Sequence, residues 1–148
     1  MSPHLGKQNR MIKENSTAYF GISKSNRVNF DAEIELIRKC LQQYEIQLEV
    51  FVDKYKFSSH QEIEMMETAF NEIDNCDFLI VELTKKAIGV GVEVGYAKAK
   101  NKPIIYIKKQ SSKHSTTVGG TADYIMEYKN KNHLQKQFYG LMESLLKK

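Results

Sequence analysis

The sequence is poor in the features that would assign a function at sight. Cysteine is scarce: Cys40 and Cys76 are its two cysteines, too few and too far apart for a disulfide framework or a zinc site. Both fall in apolar, core-like contexts, so buried, reduced thiols and a cytoplasmic setting are expected. No apolar run approaches the roughly 18 residues of a membrane-spanning helix. The opening MSPHLGKQNRMIKENST has no apolar h-region, so no signal peptide is expected. Charge is not clustered: the net +4 comes from scattered lysines, which suit a solvated surface better than a nucleic-acid-binding patch. Internal repeats and low-complexity segments are absent. Dinucleotide and P-loop fingerprints are also missing, because GVGVEVG lacks a third glycine in the right place and no Gly-Lys-Ser/Thr follows. No cofactor and no metal are therefore expected.

What remains is an ordinary globular composition, 41% hydrophobic and 27% charged over 148 residues, enough for one domain with one proper core. Residues 1–16 read as a flexible or loosely docked arm, and 17–148 as the domain. TAYFGIS (Thr17 to Ser23) is a buried strand. Ile34, Ile37 and Leu41 recur at helical spacing, predicting a helix from Phe30 to Tyr44. IQLEVFV (Ile46 to Val52) reads as a second strand. The stretch QEIEMMETAFNEID would put Ile63, Met66, Phe70 and Ile73 on one helical face. CDFLIVEL (Cys76 to Leu83) is nearly continuous in apolar residues, as a central parallel strand covered on both faces should be. A glycine turn and a helix from about Val90 to Asn101 follow, then the strand KPIIYIKK, a short fifth strand YIMEY, and a last helix from about Lys131 to Leu146. Strands alternating with helices predict a three-layer α/β/α sandwich with a five-stranded parallel sheet, flavodoxin/Rossmann-like. Ligands of such sheets gather beyond the carboxyl ends of the strands. GISKSNR, VDKYKFSSH and TKKAIGVGVE share that edge.

Within the last of these, GVGVEVGYAKAK carries one carboxylate, Glu93, among glycines, valines and alanines. Placed in the first turn of a helix, its anion would be favoured by the helix N-terminus and ionised at neutral pH. That alone would explain it as an ordinary first-turn acid. Gly89 and Gly91, however, stand where a ligand could approach backbone, and Gly95, Ala97 and Ala99 suit a helix packed tightly on the sheet. A carboxylate aimed at a ligand would serve as a nucleophile or as an acceptor for a ribose hydroxyl.

DFLIVELTKKAIGVGVEVGYAKAKNKPIIYI resembles the central motif of the nucleoside 2-deoxyribosyltransferase superfamily: an Asp opening a hydrophobic strand, Gly-x-Gly-x-Glu-x-Gly-x-Ala, then Lys-Pro and the next strand. Among its branches the sequence looks closest to the 2'-deoxynucleoside 5'-phosphate N-hydrolases, which are homodimers. The resemblance runs from about Thr17 to Tyr128. It implies that Glu93 is the nucleophile that attacks the anomeric carbon of the sugar, a role chemically suited to a carboxylate beside an oxocarbenium-like centre. It implies too that Tyr19, otherwise an aromatic core residue, orients that nucleophile. Gly21 and the polar loop Ser23, Lys24, Ser25 and Arg27 would then lie at the substrate 5'-phosphate, with Ser23 and Arg27 foremost; donor-rich loops of this kind bind phosphate. Ser115 matches best the serine that a neighbouring subunit contributes to the phosphate, with His114 beside it.

One position departs from the pattern. The family's aspartate eight residues before the strand-opening Asp serves as general acid; counting back from Asp77 gives Ala69. Glu62, Glu67, Glu72 and Asp53 are the carboxylates nearby, and Asp77 itself is expected to be structural. Loss of a general acid typically costs on the order of 10² to 10⁴ in rate. Three readings stay open: a hydrolase of (deoxy)nucleoside 5'-monophosphates, a 2'-deoxyribosyltransferase acting on free nucleosides, and a nucleotide sensor without catalysis. None of them calls for a nucleic acid polymer or a membrane as partner.

Overall fold

The computed structural model describes residues 12–146. Five strands, β1 (Thr17–Gly21), β2 (Gln47–Val50), β3 (Phe78–Glu82), β4 (Ile104–Lys109) and β5 (Tyr124–Tyr128), form one sheet. Its order is β2-β1-β3-β4-β5, and every pairing is parallel. The strands are apolar on both faces, and side-chain alternation divides them between two cores. Ala18 and Phe20 face a cluster with Ile34, Ile37, Leu41, Phe138 and Leu145, residues of the helices α2 (Asp31–Gln42) and α7 (Lys131–Leu145). Tyr19, Leu79, Val81 and Tyr106 face a second cluster with Ala69, Ile73, Val90, Val94 and Ala97, which covers the other side through α4 (Glu62–Asp74) and α5 (Ile88–Ala99). The result is a three-layer α/β/α sandwich.

Aspartates fasten the amino-terminal edge of the sheet. Asp77 Oδ2 accepts the Thr17 N–H at 2.9 Å, the structural role expected of it, and Asp123 Oδ2 accepts the Ile104 N–H at 2.9 Å. Near the opposite edge, the buried Glu82 carboxylate accepts from the Thr84 N–H, the Thr84 hydroxyl and the Tyr128 hydroxyl. These bonds offset part of the cost of burying a charge between strands.

Several local expectations give way to packing. Strand β2 stops at Val50 because Phe51–Lys54 coils into the short helix α3, which turns Phe51 toward Tyr19 and Tyr55. The inward face of α4 carries Ala69 and Ile73, with Met65 beside them, whereas Ile63 is 73% exposed. A helical turn at Lys24–Arg27 (α1) occupies the stretch expected to be a polar loop, and further helical turns stand at Val28–Phe30 and Thr116–Gly119 (α6). Of the arm expected over residues 1–16, residues 1–11 lie outside the described residues. Ile12 and Ser16 are buried, and Ile12 donates its N–H to the Leu145 carbonyl. Burial pushes the thiols of Cys40 and Cys76 up to about 12, so both stay protonated and inert at neutral pH.

Candidate active site

The segments following β1, β2 and β3 converge beyond the carboxyl edge of the sheet around a cleft of about 350 Å³. Ile22, Ser23 and Lys24 form one side, and Phe51, Val52, Tyr55 and Phe57 the facing aromatic wall. Met65 and Met66 come from α4, while Ala87, Gly89, Val90 and Glu93 come from the entry to α5. Glu93 is the one carboxylate among these lining residues. The location follows from topology: β1 lies between β2 and β3, so the chain leaves it in one direction and returns on the other side, opening a crevice there.

Glu93 differs from the sequence expectation in two respects. Gly89 and Gly91 do not form a turn. Both are helical residues of α5, which starts at Ile88, and no glycine among the described residues has positive φ. Glu93 is thus the sixth residue of the helix, beyond the first turn where an N-terminus favours an anion most. It is also 9% exposed. Burial therefore prevails and pushes its carboxyl up to about 7, with a nearby hydroxyl, that of Tyr19, pulling the other way. At neutral pH the group is poised between acid and anion rather than fixed as an anion.

Tyr19 is fully buried on β1, facing α5. Its hydroxyl is close enough to Glu93 for each to influence the other's titration, yet it lacks a hydrogen bond of ordinary geometry and remains a buried, open donor. Gly21 explains how the two fit together. A Cβ there would stand 3.2 Å from Glu93 Oε1, 3.2 Å from Val81 Cγ1 and 3.7 Å from the Tyr19 ring. Only a residue without a side chain leaves the carboxylate this close to β1. At Gly89, by contrast, a Cβ would meet nothing within 4 Å, so the wall is open above it. Gly95 and Ala99, expected to pack on the sheet, are exposed; of the small residues in this stretch Ala97 makes that contact.

The loop after β1 divides into two parts. Ser23 and Lys24 line the cleft, and the Ser23 hydroxyl is buried without a partner. Arg27 is committed elsewhere: its Nε and one terminal nitrogen reach the two oxygens of Asp53 at 2.9 Å each, and its other terminal nitrogen reaches Asp31 at 2.7 Å. This bidentate fork joins α1 to α3 across the rim instead of presenting a free guanidinium to the cleft.

His114 and Ser115 lie on the far side of the α5 entry. Ser115 lines a second cavity of about 260 Å³ with Lys86, Ile88, Gly91 and Thr117; Ala87 lines both cavities. The Ser115 hydroxyl caps α6 by accepting the Val118 N–H at 3.2 Å. The exposed His114 ring stacks on Tyr106 at 5.5 Å and presses on Gly119. Within one chain, then, Tyr19, Gly21, Ser23, Lys24, Gly89 and Glu93 are gathered at the cleft, while Arg27, Gly91, His114 and Ser115 are not.

None of the carboxylates considered as replacements for the absent acid lines the cleft. Asp53 holds Arg27, Glu62 and Glu67 are exposed, and Glu72 accepts from Lys54 and Tyr55. Ala69 is buried under the second core. Sequence reasoning missed the aromatic wall of Phe51, Tyr55 and Phe57, although three aromatic residues so close together beside the charges of VFVDKYKF at a ligand-bearing edge were a usable signal. Among the described residues, no group of three or more His, Cys, Asp or Glu side chains is placed to hold a metal ion. No helix among them is long and apolar enough to cross a membrane.

This crevice, with a titratable carboxylate on a helix and a buried tyrosine against it, lies at the switch point of the sheet, where open α/β domains take their small ligands. Residues 19–142 match the family model "Nucleoside 2-deoxyribosyltransferase", and the chain belongs to that family. It is accordingly an enzyme of the glycosidase and glycosyltransferase type, and its substrates are of the nucleoside or nucleotide class. No curated protein matches the chain in sequence. Among solved structures, it is similar to the CMP N-glycosidase BcmB of Clostridium botulinum (15% identity, TM-score 0.57, 81% of this chain and 96% of that one). A conserved protein from Enterococcus faecalis V583 aligns at 16% identity and TM-score 0.64 over 84% and 98% of the two chains. A 2-deoxyribosyltransferase from Bacillus psychrosaccharolyticus aligns at 9% identity and TM-score 0.59 over 81% and 90%. At these identities the likeness is one of fold.

Proposed function

We propose that the chain hydrolyses the N-glycosidic bond of (deoxy)nucleoside 5'-monophosphates, releasing free base and (deoxy)ribose 5-phosphate, with Glu93 as nucleophile. The observation that carries this reading is that Glu93 is the cleft's one carboxylate, set against the open hydroxyl of Tyr19. In its ionised form, a Glu93 oxygen bonds to the anomeric carbon as the bond from that carbon to the base nitrogen breaks, its electron pair leaving on the base. Water then attacks the anomeric carbon of the glycosyl ester, its proton passes to the departing base, which is released neutral, and the carboxylate of Glu93 is freed. Tyr19 donates toward the carboxylate, orienting it and favouring its anion. The orphaned Ser23 hydroxyl and the Lys24 ammonium supply a donor and a positive charge for the phosphate. The aromatic wall offers the base a surface to stack on.

In this reading the working unit is a cytoplasmic homodimer. Ile88 is 88% exposed and Val92 45%, an apolar patch on α5, and Ile88 also lines the cavity that holds Ser115. A second copy would cover that patch and bring His114 and Ser115 toward its neighbour's cleft.

The test is to incubate purified protein with a panel of nucleotides and follow free base by chromatography, expecting release that falls at least about a thousandfold in Glu93→Ala. No release from any nucleotide, or release undiminished in that variant, refutes the proposal. One observation favours a second reading: Arg27 is bound by two carboxylates, which weakens the case for a phosphate. In that case the enzyme passes deoxyribose between free nucleosides. Transfer to an added second base, with Ser23 and Ser115 dispensable, would select it.

A further inference from the structure

The cleft's aromatic wall holds one polar side chain, Tyr55, and its hydrogen is already spent. The Tyr55 hydroxyl donates to Glu72 Oε2 at 2.8 Å. Glu72 Oε1 accepts from Lys54 Nζ at 2.8 Å, and Lys54 is held in turn by Glu49 at 3.0 Å. A carboxylate accepts and never donates, so this arrangement fixes the phenol hydrogen away from the cleft. The ring is fixed too, tilted on Phe51 with centroids 5.2 Å apart and stacked on Phe57 at 5.8 Å. The bond to Glu72 raises the phenol's pKa above its ordinary value, so it stays protonated at neutral pH. The neighbouring lining residues Phe51, Val52, Phe57, Met65 and Met66 offer a base no strong hydrogen-bonding group. Tyr55 thus carries the one side-chain oxygen among these wall residues, and with its hydrogen on Glu72 that oxygen has lone pairs alone left to offer.

We propose that Tyr55 is a specificity-determining residue: its oxygen accepts a hydrogen bond from the exocyclic amino group of the leaving base, selecting cytosine and adenine over uracil and hypoxanthine. The inference rests on the reading that a nucleotide base occupies the aromatic side of the cleft. A base with a carbonyl in place of the amino group sets one acceptor against another. It then loses its own hydrogen bond, or forces Tyr55 to abandon Glu72 and leaves a half-buried carboxylate oxygen unpaired. A site built to pair with an N–H discriminates strongly against an analogue lacking it for this reason.

The experiment compares kcat/KM for CMP with UMP and for AMP with IMP, as ribo and deoxy forms. The amino member of each pair should be favoured at least about tenfold. Tyr55→Phe should bring both ratios to within about twofold. Glu72→Gln provides an independent variant: its amide can donate to Tyr55 and let the phenol hydrogen turn into the cleft, so the ratios should move toward the oxo bases. Equal use of both members by the wild type, a preference for oxo bases, or ratios that survive both substitutions would overturn the inference. If no nucleotide is hydrolysed, the catalytic reading fails, not this one. The same ratios are then sought in calorimetric dissociation constants, where equal affinities would overturn it.

Discussion

Replacing Glu93 by glutamine should make the protein more stable, and by an amount that depends on pH. The carboxyl is pushed from an ordinary 4.5 to about 7 by burial. The folded state therefore binds this proton more tightly than the unfolded chain does. The contribution is fully present below about pH 4.5 and is lost as pH rises through 7, because above that the folded protein must hold a desolvated anion. A difference of about 2.5 pH units corresponds to about 3 kcal/mol at pH 8. Near pH 5 the penalty shrinks to below about 1 kcal/mol, since the folded protein keeps its proton there. Glutamine carries no charge at either pH. Glu93→Gln should accordingly raise the melting temperature at pH 8 by roughly 6–12 °C for a chain of this length, with the gain nearly gone at pH 5. Thermal unfolding of both proteins across pH 5–8 measures this directly. A gain that is flat with pH, or a variant less stable than wild type at pH 8, would refute the assignment of burial as the cause. Under the proposed mechanism activity should move the other way, since the carboxylate that destabilises the fold would be the nucleophile, a common trade between stability and function.

Further outcomes follow from the same geometry. The rate of base release should fall as pH drops through about 7, where Glu93 takes up its proton; Tyr19→Phe, which removes the opposing hydroxyl, should move that limb to higher pH, as a pH–rate profile would record. Gly21→Ala should impair turnover, because its Cβ would sit 3.2 Å from Glu93 Oε1. Gly89→Ala enters open space and should stabilise the helix by about 0.5–1 kcal/mol while raising KM, since the new methyl projects at the cleft. Tyr128→Phe removes one donor from buried Glu82 and should cost about 1–3 kcal/mol in denaturant unfolding without moving the pH profile of activity.

The alternation of strands and helices was legible because each strand is a compact apolar run and α2 repeats its apolar residues at helical spacing. Boundaries and faces were less so. VFV reads as strand through Val52, but Phe51 gains more by coiling toward Tyr19 than by extending the sheet. In α4 the longer apolar side chain, Ile63, stays in solvent while Ala69 fits under the core, a choice set by the space between helix and sheet. Gly-x-Gly commonly signals a turn, and nothing local distinguishes it from a helix whose outer face must stay bare. The motif led to the expectation that Glu93 and Tyr19 stand together, as they do beside Gly21, but the depth that pushes Glu93 up to about 7 is a property of the assembled layers. Arg27 looked free because Asp53, its partner, lies 26 residues away.

The entry to α5 also has a consequence for how the chain can change. Val90 and Glu93 look into the cleft, Ile88 and Gly91 into the second cavity, and Ala87 lies between them. One short stretch thus shapes two rooms through interleaved positions, with Ala87 lining both. A bulkier side chain at Ala87 would narrow both at once. Substitutions at its neighbours fall on one side or the other, so the two cavities can be reshaped separately except at that shared wall.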